Sequence, residues 1–344
     1  MGGEVGLEAA GARRLAPTVS VVVPAYNIQE FIVDCINSLE AQTFENLEII
    51  AVDDGSTDRT GELLDQLRSR SDSRLRVIHQ INGGLSDARN AGLDAALGDL
   101  TVFVDGDDSV SPHFVSSLVC ALDSSEADVA TCDYVRYVPG HRLEWGPPPE
   151  SAKVMAGEHA LAETLYFRGA GTRAWGKLAS TEMWRRHLFP EGLVYEDLAT
   201  VPGLMAEASA VVCIDEPLYG FLVRPGSITR QSDLPPQRVR DLATAITAGC
   251  APAAGSRPQL VRAFEARRAV ELTRMIGLRD LVSDPRALAT EFSRASADLR
   301  KLAGRVLVDR RAPLWLRLRV LLAAVAPVVY LALWRSRKRA EGWA

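Results

Sequence analysis

Leu100-Thr-Val-Phe-Val-Asp105-Gly-Asp107-Asp108 is the stretch from which the rest of the chain is read. A short, almost wholly apolar run with two valines and a phenylalanine predicts a strand buried on both faces. It stops at three carboxylates around one glycine. In extended backbone, side chains at i and i+2 point the same way, so Asp105 and Asp107 converge on one point. Gly106 between them leaves room for a ligand to approach the backbone. Two hard oxygen donors at a strand's end suit Mg2+ or Mn2+ held partly by a substrate's phosphates. A plain turn uses the same residue types, and this stretch alone does not choose between the two.

The preceding sequence narrows the choice. Thr18-Val-Ser-Val-Val-Val23, ended by Pro24, predicts a buried first strand, and Phe31, Ile32, Cys35, Ile36 and Leu39 give Glu30 to Gln42 helical spacing. Leu47 to Val52 is a second strand, closed by Asp53-Asp54-Gly55-Ser56-Thr57-Asp58, which offers turn residues and a helix cap. Leu63, Leu64 and Leu67 are the buried stripe of the helix that follows. Leu75 to His79 is a third strand, Asn82-Gly83-Gly84 breaks the chain, and Ser86 to Leu97 is a third helix. Strands alternating with helices make βαβ units and a parallel sheet, so the fold class is α/β. Ligands of such sheets bind outside the carboxyl ends of the strands. Pro24-Ala25-Tyr26-Asn27, Asp53-Asp54, Asn82-Gly83-Gly84 and Asp105-Gly106-Asp107 all sit at strand ends, so the polar chemistry shares one sheet edge.

Ser20-Val-Val-Val-Pro-Ala-Tyr-Asn27, Val52-Asp-Asp-Gly-Ser-Thr-Asp58, Gly84-Leu-Ser-Asp-Ala-Arg-Asn-Ala-Gly92 and Asp105-Gly-Asp-Asp108 resemble, in this order and spacing, the family 2 glycosyltransferases with the GT-A fold. The likeness is to the bacterial cell-envelope and capsular-polysaccharide type and covers roughly residues 17–232. It implies a Rossmann-like mixed, mostly parallel sheet flanked by helices. It also implies an inverting enzyme that takes a sugar from a nucleotide-diphosphate donor, usually a UDP-sugar, with Mn2+ or Mg2+. Carried over by position, Pro24, Ala25, Tyr26 and Asn27 would line the nucleoside pocket, Tyr26 offering an aromatic face. Asp54 would accept from the base, with Asp53 beside it as a further contact or a capping residue. Asn82 and Gly83 would close over the nucleotide, and Arg89 would meet the diphosphate, whose geometry a guanidinium matches; an exposed helix arginine is the plainer reading. Asp105, next to Gly106, would touch ribose or donor sugar, and Asp107 would ligate the metal.

The likeness continues downstream. Ala174-Trp175-Gly176-Lys177-Leu178 resembles a Trp-x-Lys-Leu segment of related transferases, with Trp175 and Lys177 at the acceptor, or Trp175 in the core. The loop Gly140 to Glu150 would border the acceptor side. Phe189-Pro-Glu-Gly-Leu-Val-Tyr195-Glu196-Asp197-Leu198 resembles the family's Glu-Asp motif. That makes Asp197 the general base on the acceptor hydroxyl, and Glu196 the second candidate or an orienting residue; a solvated acidic pair at a helix start is the plainer reading. Arg224, Ser227 and Thr229 match an Arg-x-x-Ser-x-Ser/Thr tail that closes on the diphosphate. No histidine follows His187, so water and phosphate oxygens would complete the metal's shell. Gln237-Arg-Val-Arg240 is followed by Asp241, so the Gln-x-x-Arg-Trp motif of processive members is missing and transfer of single sugars is expected.

The 344 residues divide into a disordered leader at 1–16, a catalytic domain at 17–233, a helical region at 234–310 and a basic, apolar segment at 311–344. A net charge of -5 excludes a global basic field for nucleic acid. Five scattered cysteines without metal-ligand spacing point to reduced core thiols in the cytoplasm, and Met1 to Ala16 has no apolar core for a signal peptide. Within Leu314 to Trp334 the uninterrupted apolar part, Val320 to Trp334, contains Pro327 and is shorter than the roughly 20 residues a span needs. Flanking arginines and aromatics fit a helix lying on the inner membrane face, beside the alternatives of core packing or a span. The expected partners are a nucleotide-sugar donor, a glycan or lipid-linked acceptor, that membrane surface, and a second copy through the C-terminal helices. Competing readings are a nucleotidyltransferase, a polyol-phosphate transferase and a binding module without catalysis. The first lacks a Gly-rich basic loop after its first strand, the second a histidine-centred site, and the third has no use for a separate base at Asp197.

Overall fold

A computed structural model describes residues 3–7, 18–70, 74–224, 234–256 and 258–340, leaving aside the side chains of 250–256, 339 and 340. In chain order the elements begin with β1 (Gly3–Gly6), β2 (Val19–Ala25), α1 (Ile32–Glu40), β3 (Leu47–Asp53) and α2 (Thr60–Arg70). Next come β4 (Leu75–His79), α3 (Leu85–Asp94), β5 (Leu100–Phe103), β6 (Ser109–Val110) and α4 (Phe114–Ser125). Then follow β7 (Val129–Tyr137), β8 (Ser151–Ala156), α5 (Gly157–Leu165), β9 (Lys177–Ser180), α6 (Thr181–Arg186), α7 (Glu196–Glu207) and β10 (Ala210–Leu222). The C-terminal part is helical: α8 (Pro236–Ser256), α9 (Val261–Leu278), α10 (Ala289–Val308), α11 (Leu314–Val325) and α12 (Pro327–Ala340).

The first compact unit, residues 1–160, 172–192 and 203–224, holds one mixed sheet in the order β1-β8-β10-β7-β9-β5-β2-β3-β4, with β6 pairing β10. The four strands read from the sequence, β5-β2-β3-β4, are neighbours and parallel. The Val, Ile and Ala residues of β2, β3 and β5 are buried on both faces because helices cover the sheet, while Val77 and Ile78 of the edge strand β4 are partly buried. A common parallel direction puts the carboxyl ends of β2, β3, β4 and β5 along one edge. β9 runs antiparallel between β5 and β7 and joins this half to the β7-β10 half.

The second unit, residues 161–171, 193–202 and 225–344, is largely helical. Beside the boundary expected at residue 233, two earlier segments, 161–171 and 193–202, group with these helices. Leu161, Leu165 and Tyr166 are buried in the first of these, and Leu198 and Val201 in the second. The Tyr166 hydroxyl donates to the buried Asp309 at 2.6 Å. Helix α8 runs through Pro252 and Gly255 to Ser256; a proline there removes one amide donor without ending the helix. Disorder was expected over 1–16, but Gly3–Gly6 pairs antiparallel with Ser151–Val154, since β8 offers an unpaired edge. The segment 311–344 is not one helix: it breaks at Ala326 before Pro327, whose ring cannot continue α11. Among the described residues no helix is long and apolar enough to cross a membrane.

Candidate active site

The loop after β2 is laced to the loop after β3. Asn27, at φ 51°, adopts the left-handed conformation that asparagine tolerates better than most residues. Its side-chain oxygen accepts from the Thr57 amide at 2.8 Å, and its own amide donates to Ser56 Oγ at 3.1 Å. Asp53 accepts from the Ser56 amide at 3.0 Å and bonds His79 Nδ1 at 2.9 Å. This carboxylate raises the His79 pKa above its ordinary value. Asp54 is buried, and its oxygens accept from the Gly83 amide at 2.9 Å, the Gly84 amide at 2.8 Å and Gln80 Nε2 at 2.9 Å. A carboxylate has about four acceptor positions, and these three bonds fill most of them. The two loops meet at Gly55, where φ is +69° and a Cβ would come within 2.8 Å of the Asn82 nitrogen. The Tyr26 ring is 47% exposed beside this frame.

Three carboxylates follow β5, each with a different partner. Arg89, reaching across from α3 and almost fully buried, donates to Asp105 Oδ1 at 2.8 Å and packs over the Phe189 ring. It is not an exposed helix arginine. Arg224 Nε donates to Asp107 Oδ2 at 2.7 Å and lies over Phe31. Asp108 points inward, accepting from the Tyr219 hydroxyl at 2.6 Å and the Leu222 amide at 2.7 Å. That hydroxyl in turn accepts from the Asp105 amide at 3.1 Å. Tyr219 and Asp108 therefore fix the end of β10, which carries Arg224, to the turn that carries Asp105 and Asp107. Gly106 does not leave space for a ligand: a Cβ there would meet Ile28 Cδ1 at 2.6 Å and the Pro24 carbonyl at 2.8 Å, so its smallness admits the end of β2.

Crowded negative charge out of water favours protons. Burial and the Asp105 charge raise the Asp107 pKa despite Arg224. Burial together with Asp107 and Asp105 holds Asp108 well above the ordinary carboxylate range, and burial with Asp108 nearby does the same for the Cys35 thiol beneath the turn. Among the described residues, no three His, Cys, Asp or Glu side chains converge as a ready-made metal cage. The donor set still fits a hard divalent cation: Asp107 is a partly buried carboxylate with excess negative charge beside it, and such ions commonly take one or two carboxylates plus substrate phosphates.

Glu196 and Asp197 open α7, in the second unit, with Glu196 buried and Asp197 partly exposed. Tyr195 before them has φ 76°, an uncommon strain for a non-glycine residue, and the Arg274 guanidinium covers its ring at 4.6 Å. Acidic residues in a helix's first turn face its positive end.

Trp175, read as an acceptor platform or as core, and Lys177, read as an acceptor contact, are both buried. Trp175 is 6% exposed and stacks on Tyr219 at 4.1 Å between ring centroids, with Arg173 over its ring. Lys177 is 1% exposed on β9, and its Nζ donates to the Arg173 carbonyl at 2.6 Å. The pattern places an indole and an aliphatic stem where a central strand needs bulk. Ser227 and Thr229 lie outside the described residues. The residues that sequence reasoning missed are Tyr219, Asp108 and Phe31, and the third carboxylate after β5 was their only visible signal.

Residues 20–182 match the family described as Glycosyl transferase family 2. The chain is 37% identical over 222 residues to a Bacillus subtilis glycosyltransferase, EpsJ, covering 62% of this chain and 64% of that one. It is 32% identical over 228 residues to the glycosyltransferase GlyG of Streptococcus pneumoniae, covering 63% of this chain and 74% of that one. The chain thus spans less than two thirds of the length of EpsJ. Among solved structures, S. aureus TarS 1–349 in complex with UDP-GlcNAc superposes with a TM-score of 0.63 at 20% identity, covering 94% of this chain and 92% of that one. That likeness extends through the C-terminal helices and shows the fold, a GT-A sheet with a helical extension. On the motifs, the sheet that carries them and these relatives, the chain belongs to glycosyltransferase family 2.

Proposed function

We propose that the chain is an inverting, non-processive glycosyltransferase. It moves a sugar from a nucleotide-diphosphate donor, with UDP-sugars the first choice, to a hydroxyl of a glycan or lipid-linked envelope acceptor in the cytoplasm. The observation that carries this reading is the pairing of two carboxylates and two guanidiniums at one sheet edge, Asp105 with Arg89 and Asp107 with Arg224. Paired in this way, the cations are positioned to turn to a diphosphate that arrives between them.

Tyr26 and the loop held by Asp54 receive the nucleoside, Asp105 the ribose or sugar hydroxyls, and Arg89 and Arg224 the phosphates. Asp107 would hold Mn2+ or Mg2+, which when bound neutralises charge on the departing diphosphate. Asp197 takes the proton of the acceptor hydroxyl as its oxygen attacks the anomeric carbon. The bond from that carbon to the diphosphate oxygen breaks, and the nucleoside diphosphate leaves with the electron pair. A positioned carboxylate contributes about 10²–10⁴-fold to such a step. Gln237 on α8 bonds Asp241 at 2.7 Å rather than preceding a tryptophan, in keeping with single transfers.

A thermal-shift screen of UDP-, GDP-, dTDP- and CDP-sugars with and without Mn2+ tests the reading. A ligand at 100 times its Kd stabilises the folded state by about 2.7 kcal/mol. One nucleotide class should raise the melting temperature in a metal-dependent way, and Asp107→Asn should abolish the metal dependence. Wild-type protein indifferent to every donor would refute the donor site.

A further inference from the structure

Helix α11 is apolar on two opposite sides. Leu316, Val320 and Ala323 are buried, and α11 packs on α9 and α10. Leu314, Leu318, Leu321 and Val325, at i, i+4, i+7 and i+11, form a second stripe and are 37–74% exposed. Helix α12 repeats the arrangement. Tyr330 is buried, its hydroxyl donating to the Thr273 carbonyl of α9 at 2.8 Å, and Trp334 packs where a Cβ on Gly277 of α9 would sit. Val328, Val329 and Leu333 are 51–79% exposed. Both helices lay their inner faces on α9, and each turns its outer stripe away from it. Stability of the helical unit requires the inner stripes and has no use for the outer ones.

The charge around these stripes has one sign. From Arg310 to Ala340 there are eight arginines and lysines and no aspartate or glutamate. Arg319 reaches Thr273 of α9 and lies over the Trp334 ring, and Arg335 pairs with Asp280, so these two are held at the border with α9 and the neighbouring segment. A second copy of this chain docked by the same patch would bring like charges together across a two-fold axis, which repels. An anionic bilayer surface meets both requirements, with headgroups for the cations and acyl chains for the leucines and valines.

We propose that the outer face of α11 and α12 docks on an anionic lipid bilayer, lying in the interface without spanning it. This deepens the lipid-linked branch of the proposed acceptor. Its readout is lipid binding alone, so it can fail or stand independently of transferase activity.

The test is co-sedimentation of the full chain with phosphatidylcholine vesicles containing about one third phosphatidylglycerol, beside pure phosphatidylcholine vesicles. The wild type should sediment with the anionic vesicles and release as salt rises. The double variant L318E/V329E changes two exposed residues, so its melting temperature should be unchanged while its partition falls by roughly tenfold or more. A second variant, R337Q/K338Q, keeps the apolar stripe and should lose roughly fivefold per charge, on anionic vesicles only. Equal binding to neutral vesicles, or no binding to either kind, would overturn the proposal. A wild-type dimer that L318E/V329E turns into a monomer, with no vesicle binding, would overturn it in favour of a self-interface.

Discussion

Tyr219→Phe removes a single oxygen from the centre of the candidate site. The Tyr219 ring is fully buried and stacked on Trp175 with 14° between planes, and phenylalanine fills the same volume. The oxygen has two partners: it accepts from the Asp105 amide and donates to Asp108. Its loss leaves a buried carboxylate with one donor fewer and a backbone N–H without its acceptor. Each buried group deprived of its partner costs about 1–3 kcal/mol, so the variant should lose roughly 2–6 kcal/mol of stability. Urea unfolding followed by near-UV circular dichroism measures this, with the half-exposed Tyr26→Phe as a control expected to stay within about 0.5 kcal/mol. Because Asp105 and Asp107 share the turn that the hydroxyl holds, Mn2+-dependent donor binding should weaken as well. A loss no larger than that of the Tyr26 control would mean that the hydroxyl bridge does not hold the site, and the account of how β10 fixes Arg224 would fall with it.

Arg224→Gln should bind Mn2+ alone about tenfold more tightly, read by electron paramagnetic resonance, because it frees Asp107 from a charge-assisted hydrogen bond; the same variant should bind donor more weakly. Asp197→Asn should keep the donor-induced thermal shift while transfer falls by about 10²–10⁴-fold; an undiminished rate would remove Asp197 as the base. His79, its pKa raised chiefly by Asp53, should titrate above its ordinary 6.5 by NMR and return towards that value in Asp53→Asn. A raised folded pKa contributes stability that is complete below 6.5 and is lost as pH climbs through the folded value. The wild type should therefore lose a little stability over that window, and His79→Gln should lose none; with the imidazole side chain 45% exposed, solvent screening keeps the effect small.

The parallel core was legible because each of its strands is a short apolar run stopped by Asp, Gly, Asn or Pro, and that alternation has few structural solutions. Asp54, Asp105 and Asp107 were legible for the same reason, since carboxylates at buried strand ends stand out. β10 was not: Asp215, Glu216 and Pro217 interrupt its apolar pattern, and the register shifts there show a strand that bends where those residues fall. That irregularity concealed Tyr219 as a site residue. Trp175 and Lys177 stay ambiguous in sequence because an aromatic two residues from a lysine reads alike on a sugar platform and in a packed strand, and only burial tells them apart. The split of the helical unit into three chain segments was invisible, because tertiary contacts alone recruit 161–171 and 193–202.

Asp54 carries a consequence for how ligand affinity is distributed. Its carboxylate ties Gln80, Gly83 and Gly84 into place through three hydrogen bonds of the chain's own. On the function proposed above, the wall of the nucleoside pocket is then held by the fold itself, and binding there does not have to oppose the entropy of freezing a loop. The phosphate end differs, since each guanidinium is engaged by a carboxylate and has to be released from it when anions arrive. A bare nucleoside should therefore bind with little change in backbone amide exchange, and each added phosphate should bring an enthalpic exchange of partners. The donor's affinity would then be built in two thermodynamically distinct halves, a rigid fit for the base and an ion exchange for the diphosphate.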